Sequence, residues 1–86
     1  MDREPLTQGS MYPVIAGSDE EYLDFVKDKG ITQVSIFLHR IDQMRELKKG
    51  TTIYKGYGYI NSVVLDLDIT RKRVMLGELS FKDWIC

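Results

Sequence analysis

Side chains that commonly take part in catalysis are scarce in this sequence. His39 is its only histidine, and Cys86, the last residue, is its only cysteine. A nucleophilic cysteine needs a neighbouring base and a structured setting, whereas a chain end usually frays. No spacing typical of a zinc site, a phosphate-binding loop, a dinucleotide site or a hydrolase nucleophile occurs. The sequence therefore predicts a protein that is not an enzyme and holds no metal ion or cofactor; catalysis by His39 is the least favoured alternative.

Asp66 and Asp68 are the carboxylates whose spacing comes closest to that of a site. Two residues apart on a strand they would share a face, where paired carboxylates can bind a divalent cation or move a proton. Apolar residues alternate with them over residues 63–69. This alternation favours a simpler interpretation, in which both aspartates lie on the solvent side of a strand. Arg71 and Arg73 would then pair with them across a hairpin.

The segment Lys55-Gly56-Tyr57-Gly58-Tyr59-Ile60 has the composition of a nucleic-acid-binding surface. Aromatic rings on a sheet can stack on unpaired bases while nearby cations hold phosphates. The competing interpretation is that the tyrosines pack on the sheet with their hydroxyl groups at its rim. The predicted binding surface combines the tyrosines with the cations around them: Arg40, Arg45, Lys48, Lys49, Tyr54, Lys55, Tyr57 and Tyr59.

This segment resembles the K-G-[FY]-G-[FY]-I strand of cold-shock domains, and Ile36-Phe37-Leu38-His39 resembles their second aromatic strand. Residues 63–76 resemble the closing hairpin of ribosomal-type RNA-binding OB domains. The resemblance implies binding to single-stranded RNA or DNA. The two aromatic strands occur here in the reverse of the family's order, and the opening strand of the barrel is missing.

The composition of the chain is that of one ordinary globular domain. Its 86 residues are 43% hydrophobic and 29% charged. No apolar run approaches the ~20 residues needed to span a bilayer, and the first ten residues lack the apolar core of a secretory signal. A lone cysteine cannot form an internal disulfide. These features together predict a cytoplasmic protein without a membrane segment.

Acidic and basic residues are distributed unevenly along the chain. Residues 1–28 carry seven acidic and two basic side chains, whereas residues 29–86 carry six acidic and ten basic ones. The two parts would therefore produce fields of opposite sign. With so small a net charge, we expect them mainly to complement each other within one fold.

The local patterns predict a flexible arm over residues 1–10 and a single α+β domain over residues 11–86. A helix over residues 19–29 is the strongest prediction, because Ser18 is placed to cap its start and Gly30 its end. A second, short helix is expected over about residues 40–49. Strands are predicted at residues 12–16, 31–38 and 51–54, followed by a C-terminal β-hairpin (59–69 with 74–79) and a helical turn at 80–85. The expected fold is a mainly antiparallel sheet with helices on one face.

The functional prediction is a small binding protein of the accessory, regulatory or inhibitor type, which acts by contact with another protein. Tyrosine, tryptophan and arginine side chains are available as contact anchors. The alternative is a module that binds single-stranded RNA or DNA through the tyrosine and lysine surface. A homodimer is compatible with both, since a small sheet with free edges can pair with a second copy.

Overall fold

Strands and helices alternate along residues 11–84, the part of the chain that this computed structural model describes. The predicted N-terminal arm, together with Ile85 and Cys86, lies outside the described residues. Two short 3-10 turns, Thr32–Val34 and Tyr59–Asn61, connect elements. The strands are β1 (Tyr12–Ile15), β2 (Ser35–Phe37), β3 (Thr51–Lys55) and β4 (Leu79–Asp83), and the helices are α1 (Asp19–Lys29), α2 (Ile41–Glu46) and α3 (Asp68–Met75).

The four strands form one sheet in the order β2-β1-β3-β4, and every neighbouring pair is parallel. The prediction of a mainly antiparallel sheet is therefore wrong. A helix follows each of the first three strands and returns the chain to the end where it started, which is the connection that parallel neighbours need. What the structure retains from the prediction is a small α+β domain.

Helix α1 begins and ends where the sequence predicts. The Glu21 amide donates to the Ser18 hydroxyl at 3.2 Å, and Gly30 adopts φ 70° at the C-cap. The predicted capping box differs in one bond, because the Glu21 carboxylate accepts a hydrogen bond from the Ser18 hydroxyl at 3.1 Å. Asp19, Glu20 and Glu21 place negative charge in the first turn, where the helix dipole favours it.

The predicted C-terminal hairpin is absent from the described residues. Residues 68–75 form helix α3, and β4 follows where a helical turn was predicted. The alternation over residues 63–69 suggested a strand, yet the buried positions of α3 are Thr70 and Arg73, three residues apart. Because these two inward-facing side chains are polar, the apolar residues of this segment do not repeat at helical spacing, and the sequence pattern did not indicate a helix. The likeness to the closing hairpin of OB domains therefore has no structural counterpart.

Helix α2 is also shorter than predicted, since the chain becomes extended at Leu47.

Two hydrophobic clusters form the core, one on each face of the sheet. Neighbouring residues of a strand point to opposite faces, and Val14 and Ile15 belong to different clusters. The Val14 cluster contains Phe25 of α1, whereas the Ile15 cluster contains Met44 of α2 and packs against residues of α3. Helix α1 thus covers one face and helices α2 and α3 cover the other.

A buried arginine joins α3 to α2 and to the turn before β4. Arg73 is only 8% exposed, and its guanidinium donates to the Glu78 carboxylate at 2.7 Å and to the carbonyl of Met44 at 2.8 Å. The Gly50 amide donates to the Glu78 carbonyl at 2.7 Å. The hairpin prediction paired Arg73 with an aspartate, which is wrong; Arg71 does approach Asp66, at 3.6 Å, but at the start of α3. Arg73 instead fixes the end of α2 and the turn that precedes β3.

Within residues 11–84, no helix is both long enough and apolar enough to cross a bilayer.

Candidate functional site

A groove begins at the N-terminal end of the sheet and extends between α2 and strand β2. It has a volume of about 820 Å³. Four residues of the predicted binding surface line this groove: Arg40, Lys48, Lys49 and Tyr54. The chain therefore brings three cations together around one opening, to which Glu46 adds a single carboxylate. We call this feature the basic groove.

The floor of the basic groove is apolar. Ile36 and Leu38 come from strand β2 and the residue after it, and Leu47 follows α2. Tyr12 and Tyr54 also line the groove, and their rings lie edge to face at 5.8 Å between centroids. Sequence reasoning assigned the aliphatic residues to elements but did not connect them with the cations. No local pattern could have done so, because the parallel order of the strands makes them neighbours.

Gln43 fixes the backbone at the entrance of the basic groove, a role that no sequence pattern indicated. Its side-chain carbonyl accepts hydrogen bonds from the amides of His39 at 2.8 Å and Arg40 at 3.0 Å. Its amide group donates to the Phe37 carbonyl at 3.1 Å. The Gln43 side chain thus holds the backbone between β2 and α2, including the backbone of Arg40, from which the Arg40 side chain extends.

Arg40 is also held by a local ion pair. Its Nε donates to the Asp42 carboxylate at 3.2 Å, and both side chains are largely exposed. Desolvation raises the pKa of Asp42. The hydrogen bond and the positive charge of Arg40, with backbone hydrogen bonds, lower it by more, so the pKa of Asp42 lies below its usual value. Asp42 is therefore ionised at neutral pH and partly offsets the charge of Arg40. Lys48 and Lys49 supply the less compensated charge.

A short turn presents Lys48 and Lys49 to solvent. The amide and the hydroxyl of Thr51 both donate to the Lys48 carbonyl, at 3.2 and 2.6 Å. Gly50 adopts φ 90°, a conformation that glycine tolerates best. The backbone of this turn is fixed, while the two lysine side chains are exposed.

The remaining predicted residues lie elsewhere. Arg45 lines a second, smaller groove between α2 and α3. Tyr59 packs against the Ile15 cluster, and the Lys55 ammonium lies 5.4 Å from the centroid of its ring. Tyr57 donates to the Asp28 carboxylate at 2.6 Å. The three tyrosines of residues 54–59 therefore do not form one stacking surface.

The bond from Tyr57 to Asp28 has an electrostatic consequence. The hydrogen bond to Asp28 raises the pKa of the Tyr57 phenol above its usual value, with further contributions from desolvation and from the negative charges of Asp28 and Asp24. The phenol is thus committed to an intramolecular partner.

The C-terminal end of the sheet contrasts with the basic groove. Parallel sheets of this strand order commonly bind ligands where the order of the strands reverses, here beyond the C-terminal ends of β1 and β3. The Gly17 amide donates to the Tyr57 carbonyl at 3.1 Å, and the Gly56 amide donates to the Ile15 carbonyl at 2.8 Å. The Glu21 carboxylate lies against Gly17 and Gly58, in space that a side chain on either glycine would need. The chain's own carboxylate therefore fills this crevice.

The candidate catalytic residues of the sequence are dispersed. His39 is exposed, its ring stacks on Phe37 with centroids 4.7 Å apart, and its Nδ1 lies 3.2 Å from the Phe37 carbonyl oxygen. Asp68 opens α3, and Asp66 precedes it in a turn, so the two do not share a strand face. Among residues 11–84, no three histidine, cysteine or acidic side chains are grouped so that they could hold a metal ion.

Comparison with known proteins adds no relative to these observations. No protein-family model matches the chain, no curated protein matches it, and no solved structure matches it. The chemistry of the grooves is therefore the basis for the functional proposal.

Proposed function

We propose that this protein binds other proteins, and that its basic groove accepts an extended segment in which an apolar side chain is flanked by acidic residues. The observation that carries the proposal is the composition of the groove. Ile36, Leu38 and Leu47 offer an apolar floor, and Lys48 and Lys49 offer positive charge at the opening. Apolar anchors supply most of the binding energy at such contacts, and charges at the rim mainly set specificity and association rate.

Binding of single-stranded nucleic acid is the competing function, and the arrangement of the tyrosines argues against it. A stacking surface needs several aromatic rings exposed side by side next to cations. The Tyr57 phenol is bonded to Asp28, and Tyr59 packs against the core. Tyr54 faces the rings of Tyr12 and Trp84 edge-on, at 5.8 and 5.1 Å between centroids. A predominantly aliphatic floor suits a peptide side chain better than a base.

The acidic helix α1 favours the same choice. Five of its eleven residues are acidic and two are basic. Polyanion binding depends strongly on the summed charge of the protein surface, and a net charge of −1 with an acidic helix provides little attraction at long range. A short acidic segment needs only the local field of the groove.

The proposal is tested with a random-peptide library displayed on phage and panned against the folded protein. We expect the selected peptides to share one or two aliphatic or aromatic residues next to aspartate or glutamate. Their affinity, measured by fluorescence anisotropy, should fall by about tenfold in the Lys48→Glu/Lys49→Glu variant, because the variant reverses both rim charges. The Lys27→Glu/Lys29→Glu variant is the matched control: it makes the same change of net charge on α1 and should keep wild-type affinity.

Two results would contradict the proposal. One is a set of selected peptides whose affinity is the same in the Lys48→Glu/Lys49→Glu variant and the wild type. The other is tight binding of oligo-dT or oligo-rU at low salt that weakens steeply with added salt and requires Lys48 and Lys49. The second result would assign the groove to nucleic acid.

A further inference from the structure

A second groove, between helices α2 and α3, repeats the combination of an apolar floor and a basic rim. It has a volume of about 420 Å³. Helix α2 contributes Ile41 and Arg45, and helix α3 contributes Ile69 and Lys72, each pair at helical spacing. Asp68, the first residue of α3, adds one carboxylate to the two basic side chains. The residues that line this α2–α3 groove are Ile41, Arg45, Leu67, Asp68, Ile69 and Lys72.

The exposure and charge of these residues indicate an unfilled contact surface. Ile41 is 44% exposed although it is a large aliphatic residue. No carboxylate of residues 11–84 lies within ion-pair distance of Arg45 or Lys72. The complement of this surface is therefore an apolar side chain with acidic neighbours.

Helix α1 of the same protein has that composition. Leu23 is 46% exposed. On the same side of the helix, Asp19 and Glu20 one turn earlier are exposed acids, and Lys27 one turn later is an exposed base. Helix α1 packs on the sheet face opposite to α2 and α3. A molecule therefore presents the two surfaces on opposite sides and cannot bring its own α1 to its own α2–α3 groove.

We propose that the α2–α3 groove of one molecule binds helix α1 of a second copy of this chain. Leu23 enters the apolar floor, and its acidic neighbours face the basic rim. This is a helix-in-groove contact between two different surfaces. A contact of this kind repeats from one molecule to the next, so it produces a ring or an open filament instead of a two-fold dimer.

Sedimentation velocity over a wide range of protein concentration tests the proposal. We expect the average mass of the wild-type protein to rise with concentration at low salt and to fall when salt is added, because the rim charges are screened. Leu23→Asp and Ile41→Asp should each sediment as a monomer at every concentration. Both residues are exposed, so neither change should impair folding, which circular dichroism verifies.

Mixing the two variants gives the decisive measurement. Leu23→Asp keeps an intact groove and Ile41→Asp keeps an intact α1, so an equimolar mixture should form a one-to-one dimer that grows no further. Val63→Asp is the matched control, since Val63 is 68% exposed and lies outside both surfaces; it should associate as the wild type does. The Lys48→Glu/Lys49→Glu variant should also associate normally, which separates this proposal from the function of the basic groove.

A wild-type protein that stays monomeric at all concentrations would falsify the proposal. So would a mixture of Leu23→Asp and Ile41→Asp that remains monomeric, or a Val63→Asp variant that loses association to the same extent.

Discussion

The two ends of the parallel sheet differ in whether side chains and loops fill the space beyond the strands. At the C-terminal end, the loops after β1 and β3 are hydrogen-bonded to each other, and Glu21 fills the crevice between them. At the N-terminal end, a groove of about 820 Å³ stays open and carries Lys48 and Lys49. Topology alone indicates the C-terminal end as the ligand site of such a sheet. In this protein the Glu21 side chain occupies that position, so the open groove lies at the N-terminal end instead. A topological switch point can bind a ligand only where the chain's own side chains leave it empty.

The two ends also depend on different kinds of interaction. We call the C-terminal end of the sheet the closed end and the N-terminal end the open end. The closed end relies on glycines, because these let two loops and the Glu21 carboxylate approach one another closely. The open end is bordered by the end of α2 and the turn before β3, which the buried Arg73 and the partly exposed Glu78 hold together. Substitutions at each end should therefore affect stability by different mechanisms and to different extents.

The largest effect is expected where the frame of the open end is broken. Arg73→Met removes the charge that pairs with Glu78 and the donor to the Met44 carbonyl. Loss of one partner of a buried ion pair leaves the other uncompensated, at a cost of about 3 kcal/mol or more when both groups are fully buried; because the Glu78 side chain is 21% exposed, we expect about 2 kcal/mol or more here. The free energy of unfolding, measured by urea denaturation, should fall by that amount.

Glu78 provides the control for this prediction. The Arg73→Met/Glu78→Leu double variant should recover part of the lost stability, because it removes the uncompensated carboxylate along with its partner. An Arg73→Met protein within about 0.5 kcal/mol of the wild type, as for an ordinary surface substitution, would show that the ion pair does not hold this end.

An intermediate effect is expected at the closed end. A Cβ at Gly17 would lie 2.7 Å from the Gly58 carbonyl oxygen and would collide with the Glu21 carboxylate. Gly17→Ala should therefore lower the free energy of unfolding by about 2 kcal/mol, within the range for an overpacked contact. The Gly17→Ala/Glu21→Ala variant should recover only part of this loss, since the backbone contact remains.

Gly77→Ala is a useful comparison, because Gly77 has φ 77° but no atom within 4 Å of an added Cβ. Its cost should be that of the backbone conformation alone, about 1 kcal/mol. A Gly17→Ala variant as stable as the wild type would mean that the two loops are not packed together at the closed end.

The sequence predicted local structure where the signals were local. Ser18, the acidic first turn and Gly30 define α1 within a single stretch of chain, and the structure confirms its bounds. Prediction from the sequence failed over residues 59–79, where buried Thr70 and Arg73 replace apolar residues on the inner side of α3. Arg73 is buried because of Glu78 and the carbonyl of Met44. That environment exists only after the helices have packed, so periodicity could not reveal it.

Prediction of the site followed the same rule. The cations around Lys48 were grouped by their proximity in sequence, and Arg40, Lys48 and Lys49 line one groove. The tyrosines of residues 54–59 were grouped for the same reason, but the strand ends at Lys55 and the chain turns at Gly56 and Gly58. That turn sends Tyr57 toward Asp28, 29 residues away in sequence. Neighbours along the chain become neighbours in space only while the element that contains them continues.

The smallest predicted effect concerns the outermost bond of the closed end, between Tyr57 and Asp28. The hydrogen bond to Asp28 raises the pKa of Tyr57 in the folded protein above its usual value of 10.0. The unfolded chain ionises at the ordinary value, so the bond's contribution to stability is complete below about pH 10 and is lost as the pH rises through the folded-state pKa. Tyr57→Phe removes this contribution. The difference in unfolding free energy between wild type and Tyr57→Phe should therefore be constant at neutral pH and shrink in alkali. A difference that stays the same across this range would show that the phenol does not donate to Asp28 in solution, and that the closed end is held by its backbone bonds and by Glu21 alone.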